Sequence, residues 1–137
     1  MASIRKELRT RAAPDAVWDA IRDYGALHTR LVPGFVVATR LEPGVRIVTF
    51  RNGVVAREPI VAVDDDARRL VWCSEGGALR HYHAALQAWA EGGGTRVVWI
   101  ADFLPDEAAP RIAAMMDEGI AAMQGALDAL ASVGSLS

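Results

Sequence analysis

Two oppositely charged residues flank the turn signal Asn52-Gly53: Arg46 before it and Glu58 after it. A guanidinium can bond a carboxylate through two donors at once, and a carboxylate removed from water needs such a partner. The pair therefore has two readings. One is a structural ion pair. The other is a polar anchor that orients a ligand's carbonyl or hydroxyl, or works as a general acid/base. Register bears on the choice. A two-residue turn at Asn52-Gly53 sets Ile47 opposite Glu58 and puts Arg46 on the opposite face. A one-residue bulge or a longer turn restores a common face.

His81 and His83 flank Tyr82 in a strand-like run. They share one face, about 7 Å apart, and two histidines can ligate zinc, but a catalytic site takes a third protein ligand. No third candidate stands out. Alternation favours Tyr82, Ala84, Leu86 and Ala88 as the inward set, so the histidines are expected outward and solvated, with no metal and no cofactor. Trp72, Tyr82, Trp99 and Phe103 either fill a core or stack on a planar ligand. A buried Tyr82 hydroxyl needs a partner, which makes it the better candidate for ligand contact. Cys73 is read as inert, having no cationic neighbour to activate it. Asp64-Asp65-Asp66 lacks the glycine and glutamate of a calcium loop and reads as a solvated turn. Gly92-Gly93-Gly94 precedes a strand, so it is no phosphate cradle. No Gly-x-Ser-x-Gly elbow is present.

These residues must be positioned by a modest chain. It has 137 residues, 52% of them hydrophobic and 23% charged, with net charge -2. That is the composition of one globular domain, here 1–137. No basic patch suggests nucleic acid. No apolar run approaches about 18 residues, so no transmembrane helix is expected. The charged N-terminus lacks a signal-peptide block, and a cytoplasmic location is expected. Lys6 is the only lysine, arginine being used elsewhere, and alanine is abundant; this usage suggests a bacterial, GC-rich genome.

Residues 2–11 alternate and read as a strand. Pro14-Asp15 opens a short helix with Val17, Trp18 and Ile21 on its apolar face. Gly25 breaks it, and 26–32 is expected to form another short helix before Pro33-Gly34. From Phe35 to Phe103, β-rich runs (35–42, 45–51, 54–63, 69–75, 79–90 and 95–103) alternate with turn signals, as in an antiparallel meander. Gly76-Gly77 is one of those signals. After Pro105 the period becomes helical: Ile112, Met115, Met116, Gly119, Ile120, Met123, Leu127 and Leu130 predict one long helix over 106–132, with Gly134 favouring its end. A curved sheet needs its concave face covered, and only this helix is large enough. The expected architecture is α+β, a seven-stranded antiparallel sheet gripping a C-terminal helix, with two short helices after the first strand.

The ordered set Pro14…Val17-Trp18, Asp23-Tyr24-Gly25…Pro33-Gly34, Gly44-Val45-Arg46, Asn52-Gly53, Glu58, Asp64, Trp72, Gly76, Tyr82, Gly94-Thr95, Trp99 and Phe103 resembles the START-related SRPBCC superfamily. Within it, the likeness is to the polyketide cyclase/dehydrase group, over nearly the whole chain. Where that group often carries a tryptophan before the proline-glycine, this chain has Arg30-Leu31-Val32, so the entrance loop is expected to differ. The resemblance implies a helix-grip fold and an apolar cavity that binds lipids, polyketides or other small hydrophobic molecules. It also implies that Arg46 and Glu58 face that cavity. The expected lining is Arg46, Val48, Phe50, Glu58, Ile60, Trp72, Tyr82, Leu86, Trp99, Phe103, Met116, Gly119, Ile120 and Met123. Gly119, a costly residue inside a helix, is expected to leave ligand space beneath it. Binding of a small hydrophobic ligand leads. A polyketide-type cyclase or dehydratase using Glu58 and Tyr82 as acid/base groups with Arg46 polarising a carbonyl comes second, and a protein-interaction module third. A homodimer is compatible with each.

Overall fold

A computed structural model describes residues 1–76 and 78–136; the turn glycine Gly77 lies outside the described residues. Strand β1 (Ala2–Thr10) leads into helix α1 (Pro14–Arg22). The strands β2 (Val36–Glu42), β3 (Val45–Phe50), β4 (Val55–Asp64), β5 (Arg69–Cys73), β6 (His81–Glu91) and β7 (Gly94–Leu104) follow. Helix α2 (Ala109–Leu136) closes the chain. All neighbouring strands pair antiparallel in the order β1-β7-β6-β5-β4-β3-β2, so β1 and β2 are the two edges.

Period-two alternation decides the sheet faces. On β6, Tyr82, Ala84, Leu86 and Ala88 are buried, while His81, His83, Ala85 and Gln87 are half-buried on the outer face. On β7, Val97, Trp99, Ala101 and Phe103 complete the inner face. Helix α2 lays Ile112, Met116, Met123 and Leu127 against it. Each large apolar side chain so buried contributes about 1.5–3 kcal/mol.

Helix α1 begins with Pro14 in its first turn, Asp15 beside its positive end, and a buried face of Val17, Trp18, Ala20 and Ile21. The Trp18 indole N–H donates to Asp65 Oδ1 at 2.9 Å, and Arg22 Nε donates to the same oxygen at 2.9 Å. The aspartate turn after β4 is thus more than solvated: it fastens α1 to the sheet. The Trp18 hydrogen bond first, then Arg22, holds the Asp65 carboxyl below its ordinary range.

The short helix expected over 26–32 is present as one wide π-type turn (Leu27–Leu31), preceded by a 3-10 turn (Tyr24–Ala26). Two local expectations need correction. Asp106–Ala108 forms a 3-10 turn, and α2 starts only at Ala109, with Pro110 in its first turn. Gly134 does not stop α2, which runs to Leu136; an interior glycine weakens a helix without obliging it to end.

Candidate functional site

The β3–β4 hairpin settles the register. The Phe50 N–H donates to the Val54 carbonyl at 2.8 Å, which leaves Arg51, Asn52 and Gly53 as a three-residue loop. Gly53 takes φ +90°, a left-handed conformation that glycine adopts at no steric cost. Asn52 Oδ1 accepts from the Val54 N–H at 3.1 Å. Compared with a two-residue turn, the extra residue shifts the pairing by one, so Arg46 stands opposite Glu58 rather than Ile47 opposite Glu58. The two-residue turn read from Asn52-Gly53 is thereby corrected, and the two charged side chains share the inner face.

They meet there as a buried pair. Arg46 is 2% exposed and Glu58 5%. Arg46 Nε donates to Glu58 Oε1 at 3.0 Å, and Nη2 lies 2.8 Å from the same oxygen. The guanidinium carbon also sits 5.3 Å from the centroid of the Trp72 ring, a cation–π arrangement. Burial pushes the Glu58 carboxyl above its ordinary range, and Arg46 offsets only part of that push.

The pairing continues past β5. The Ser74 N–H donates to the Tyr82 carbonyl at 3.0 Å, and the Glu75 N–H to the Arg57 carbonyl at 2.8 Å. Ser74 therefore lies between Glu58 and Tyr82, and Tyr82 is paired with Phe103 beyond it. Arg46, Glu58, Ser74, Tyr82 and Phe103 form one cross-strand row. Burial raises the Tyr82 phenol well above its ordinary pKa; the Glu58 charge adds to this, and the Trp99 indole and Arg46 oppose it. The Trp99 contact falls short of hydrogen-bond geometry, leaving Nε1 buried without an acceptor among the described residues.

Above this row a pocket of about 710 Å³ opens between the sheet and α2. Its floor carries Arg46, Glu58, Trp72, Ser74, Tyr82, Leu86 and Trp99. Helix α2 contributes Ile112, Met115 and Met123. The segment from Leu27 to Val36 supplies Leu31, Val32 and Phe35, whose ring meets Phe50 edge-on at 5.4 Å. The hairpin tip (Asn52, Val54, Val55), Glu75, Leu79, Arg111 and Glu118 form the rim.

Of the fourteen expected lining residues, Arg46, Phe50, Glu58, Trp72, Tyr82, Leu86, Trp99 and Met123 border this space. The other six do not. Val48, Phe103 and Met116 are each 0% exposed and consumed by packing. Ile60 and Ile120 pack as half-buried residues against the core. Gly119 is the clearest correction. A Cβ there would lie 2.7 Å from Trp99 Cζ3 and 3.1 Å from Phe35 Cε2, so the glycine admits the Trp99 ring rather than a ligand. Sequence reasoning missed the 27–36 contributors and Ser74. Only the apolar spacing of Leu27, Leu31 and Phe35 hinted at the first, and nothing marked the second.

His81 and His83 are half-buried on the outer face, away from the pocket-lining Tyr82. Cys73, paired with His83, is on that face too and half-buried. Among the described residues no group of three or more His, Cys, Asp or Glu side chains is arranged to hold a metal ion. No helix among them is long and apolar enough to cross a membrane.

A curved antiparallel sheet wrapped on one long helix, with a pocket between them, defines a helix-grip protein. The comparisons place it further. Residues 1–134 match the model of the polyketide cyclase/dehydrase and lipid transport family, and the chain belongs to that family. A comparison with curated proteins finds no match. Among solved structures it is similar to the protein XoxI from Bacillus cereus (20% identity, TM-score 0.82, covering 93% of this chain and 96% of that one). It is similar to a protein from Thermobifida fusca (25%, 0.77, 95% and 95%). It also resembles norcoclaurine synthase from Thalictrum flavum, solved with dopamine and hydroxybenzaldehyde (20%, 0.70, 94% and 85%). At these identities the XoxI and synthase likenesses establish the fold alone.

Proposed function

We propose that this chain binds a small hydrophobic molecule in the pocket between the sheet and α2, as a cytoplasmic protein. The observation that supports this is the pocket itself: about 710 Å³, walled by Trp72, Trp99, Phe35, Phe50 and Met123, with one paired charge set into its floor. Ligand sites generally combine apolar walls with a few fixed polar groups in this way, in volumes of about 300–1,000 Å³. Family membership supports the same reading. Titration with an apolar fluorescent probe tests it. Saturable binding near one probe per chain is expected, and binding no stronger than to an unrelated globular protein would end the proposal.

A second reading is a cyclase or dehydratase of the polyketide type. What favours it is the pocket-lining Glu58 carboxyl, held by burial above its ordinary range, in one row with the Arg46 guanidinium and the Tyr82 phenol. Turnover of a poly-β-ketone by wild type, lost in a folded Glu58→Gln variant, would establish it.

A further inference from the structure

Two side chains in the pocket floor have bonding capacity that the protein leaves unused. Glu58 places both of its Arg46 contacts on Oε1, and among the described residues nothing donates a hydrogen bond to Oε2. Beside the Tyr82 hydroxyl stands the Trp99 indole, which can only donate, so among the described residues nothing accepts the phenol proton. Both residues are more than nine-tenths buried, at 5% and 6% exposure, and both line the pocket. Neither oxygen is among the buried side-chain atoms left without a partner, a group that holds Trp99 Nε1 alone among the described residues, so both are open to a ligand in the pocket.

Their spacing defines what fits. Glu58 and Tyr82 lie on β4 and β6, two strand spacings apart, so their backbones are separated by about 10 Å. Between them stands Ser74, whose short side chain leaves the interval open. Two long side chains reaching inward over a short one leave room for a single polar group. On one side of that notch stands an acceptor, the Glu58 oxygen. On the other stands a phenol, which can donate. A ketone or ether oxygen would take the Tyr82 proton and leave Glu58 Oε2 unbonded. A hydroxyl serves both, accepting from Tyr82 and donating to Glu58.

Charge narrows the class further. Arg46 and Glu58 already neutralise one another at 2.8 Å. A ligand carboxylate at the notch would face the Glu58 charge, and an ammonium would give up its water for a carboxylate that Arg46 already neutralises. Trp72, Trp99, Phe35 and Phe50, which line the same pocket, favour a ring as the body of the ligand. We infer that the pocket takes a neutral, ring-bearing alcohol or phenol, held with its hydroxyl between Glu58 Oε2 and Tyr82 Oη above Ser74. This rests on the proposed ligand-binding function.

Three matched probes test it: naphthalene, naphthol and the methyl ether of naphthol, titrated calorimetrically into wild type and Tyr82→Phe. The variant removes one oxygen whose proton no described residue accepts, so it keeps its fold. Naphthol is expected to bind wild type about tenfold more tightly than the other two. Tyr82→Phe should erase most of that preference, bringing naphthol affinity close to that of naphthalene in the same variant. Equal binding of the three probes to wild type, or a preference that survives in Tyr82→Phe, would overturn the hydroxyl inference while leaving the apolar pocket intact. Failure of all three to bind would overturn the pocket reading, and this inference with it.

Discussion

Helix α2 contains two glycines whose surroundings differ in the way a controlled experiment needs. At Gly119 an added Cβ meets Trp99 Cζ3 at 2.7 Å, Trp99 Cη2 at 3.0 Å and Phe35 Cε2 at 3.1 Å. At Gly125 it meets nothing within 4 Å. Substituting alanine for an interior helical glycine gains about 0.8–1 kcal/mol of helix propensity at either site. At Gly125 that gain stands alone, so Gly125→Ala should stabilise by about 0.8 kcal/mol. At Gly119 the methyl must displace a buried indole, and overpacking of this kind costs about 1–3 kcal/mol. The net for Gly119→Ala is a loss of about 1 kcal/mol. For a domain of this length 1 kcal/mol moves the melting temperature by about 3–4 °C. The two variants should therefore melt on opposite sides of wild type, about 6 °C apart, in calorimetry or urea unfolding. Since Trp99 also lines the pocket, Gly119→Ala should shift indole fluorescence, and Gly125→Ala should not. If Gly119→Ala is stabilising by as much as Gly125→Ala, the close approach of Trp99 is refuted and the space beneath the helix is open after all.

Glu58 sets a pH dependence of definite sign. Its folded pKa lies above its unfolded value near 4.3, so the folded state holds the proton more tightly. Its contribution to stability is fully present below the unfolded pKa and is lost as pH rises through the folded pKa. Glu42, Asp65 and Glu91 are shifted downward and act in the opposite sense. The test is thus the difference between wild type and Glu58→Gln in urea melts from pH 4 to 7; a difference that grows in wild type's favour with pH contradicts the burial argument. Deleting Ala56 from β4, with the three-residue loop kept, moves Glu58 from opposite Arg46 to opposite Ile47 and so drives Arg46 and Glu58 to opposite faces. That protein should fail to fold cooperatively, as read by circular dichroism, whereas a native-like spectrum with the probe still bound would show that the register tolerates the slip.

Much of the architecture was legible because periodicity carries it. The alternation in β6 separated Tyr82, Ala84, Leu86 and Ala88 from the histidines, and the apolar spacing in α2 named Ile112, Met116, Met123 and Leu127 as its buried face. What was not legible depends on single-residue geometry. Whether Asn52-Gly53 closes a two- or three-residue loop is decided by one hydrogen bond, Phe50 to Val54, and the sequence permits both. Arg46 and Glu58 were placed together through the family pattern and not through the turn. Gly119 illustrates the other limit: a missing side chain says that something comes close, but not whether it is a ligand or the protein's own tryptophan. Ser74, which borders the notch, carries no signal at all, because its importance lies in being short between two long neighbours.

The open sheet has a consequence for how relatives can diverge. Strands β1 and β2 are its two free edges and do not pair with each other, so no ring of hydrogen bonds fixes the chamber's girth as it would in a closed barrel. Its dimensions follow instead from side chains on the seated helix, with Ile112, Met115 and Met123 among those facing the space. Exchanging any of these for a smaller or larger apolar residue changes the chamber without removing a strand hydrogen bond. Methionine, unbranched and adaptable, suits such positions. The frame and the interior can therefore drift independently: sheet pairing acts as a mould, while a few positions on one helix retune what the mould encloses.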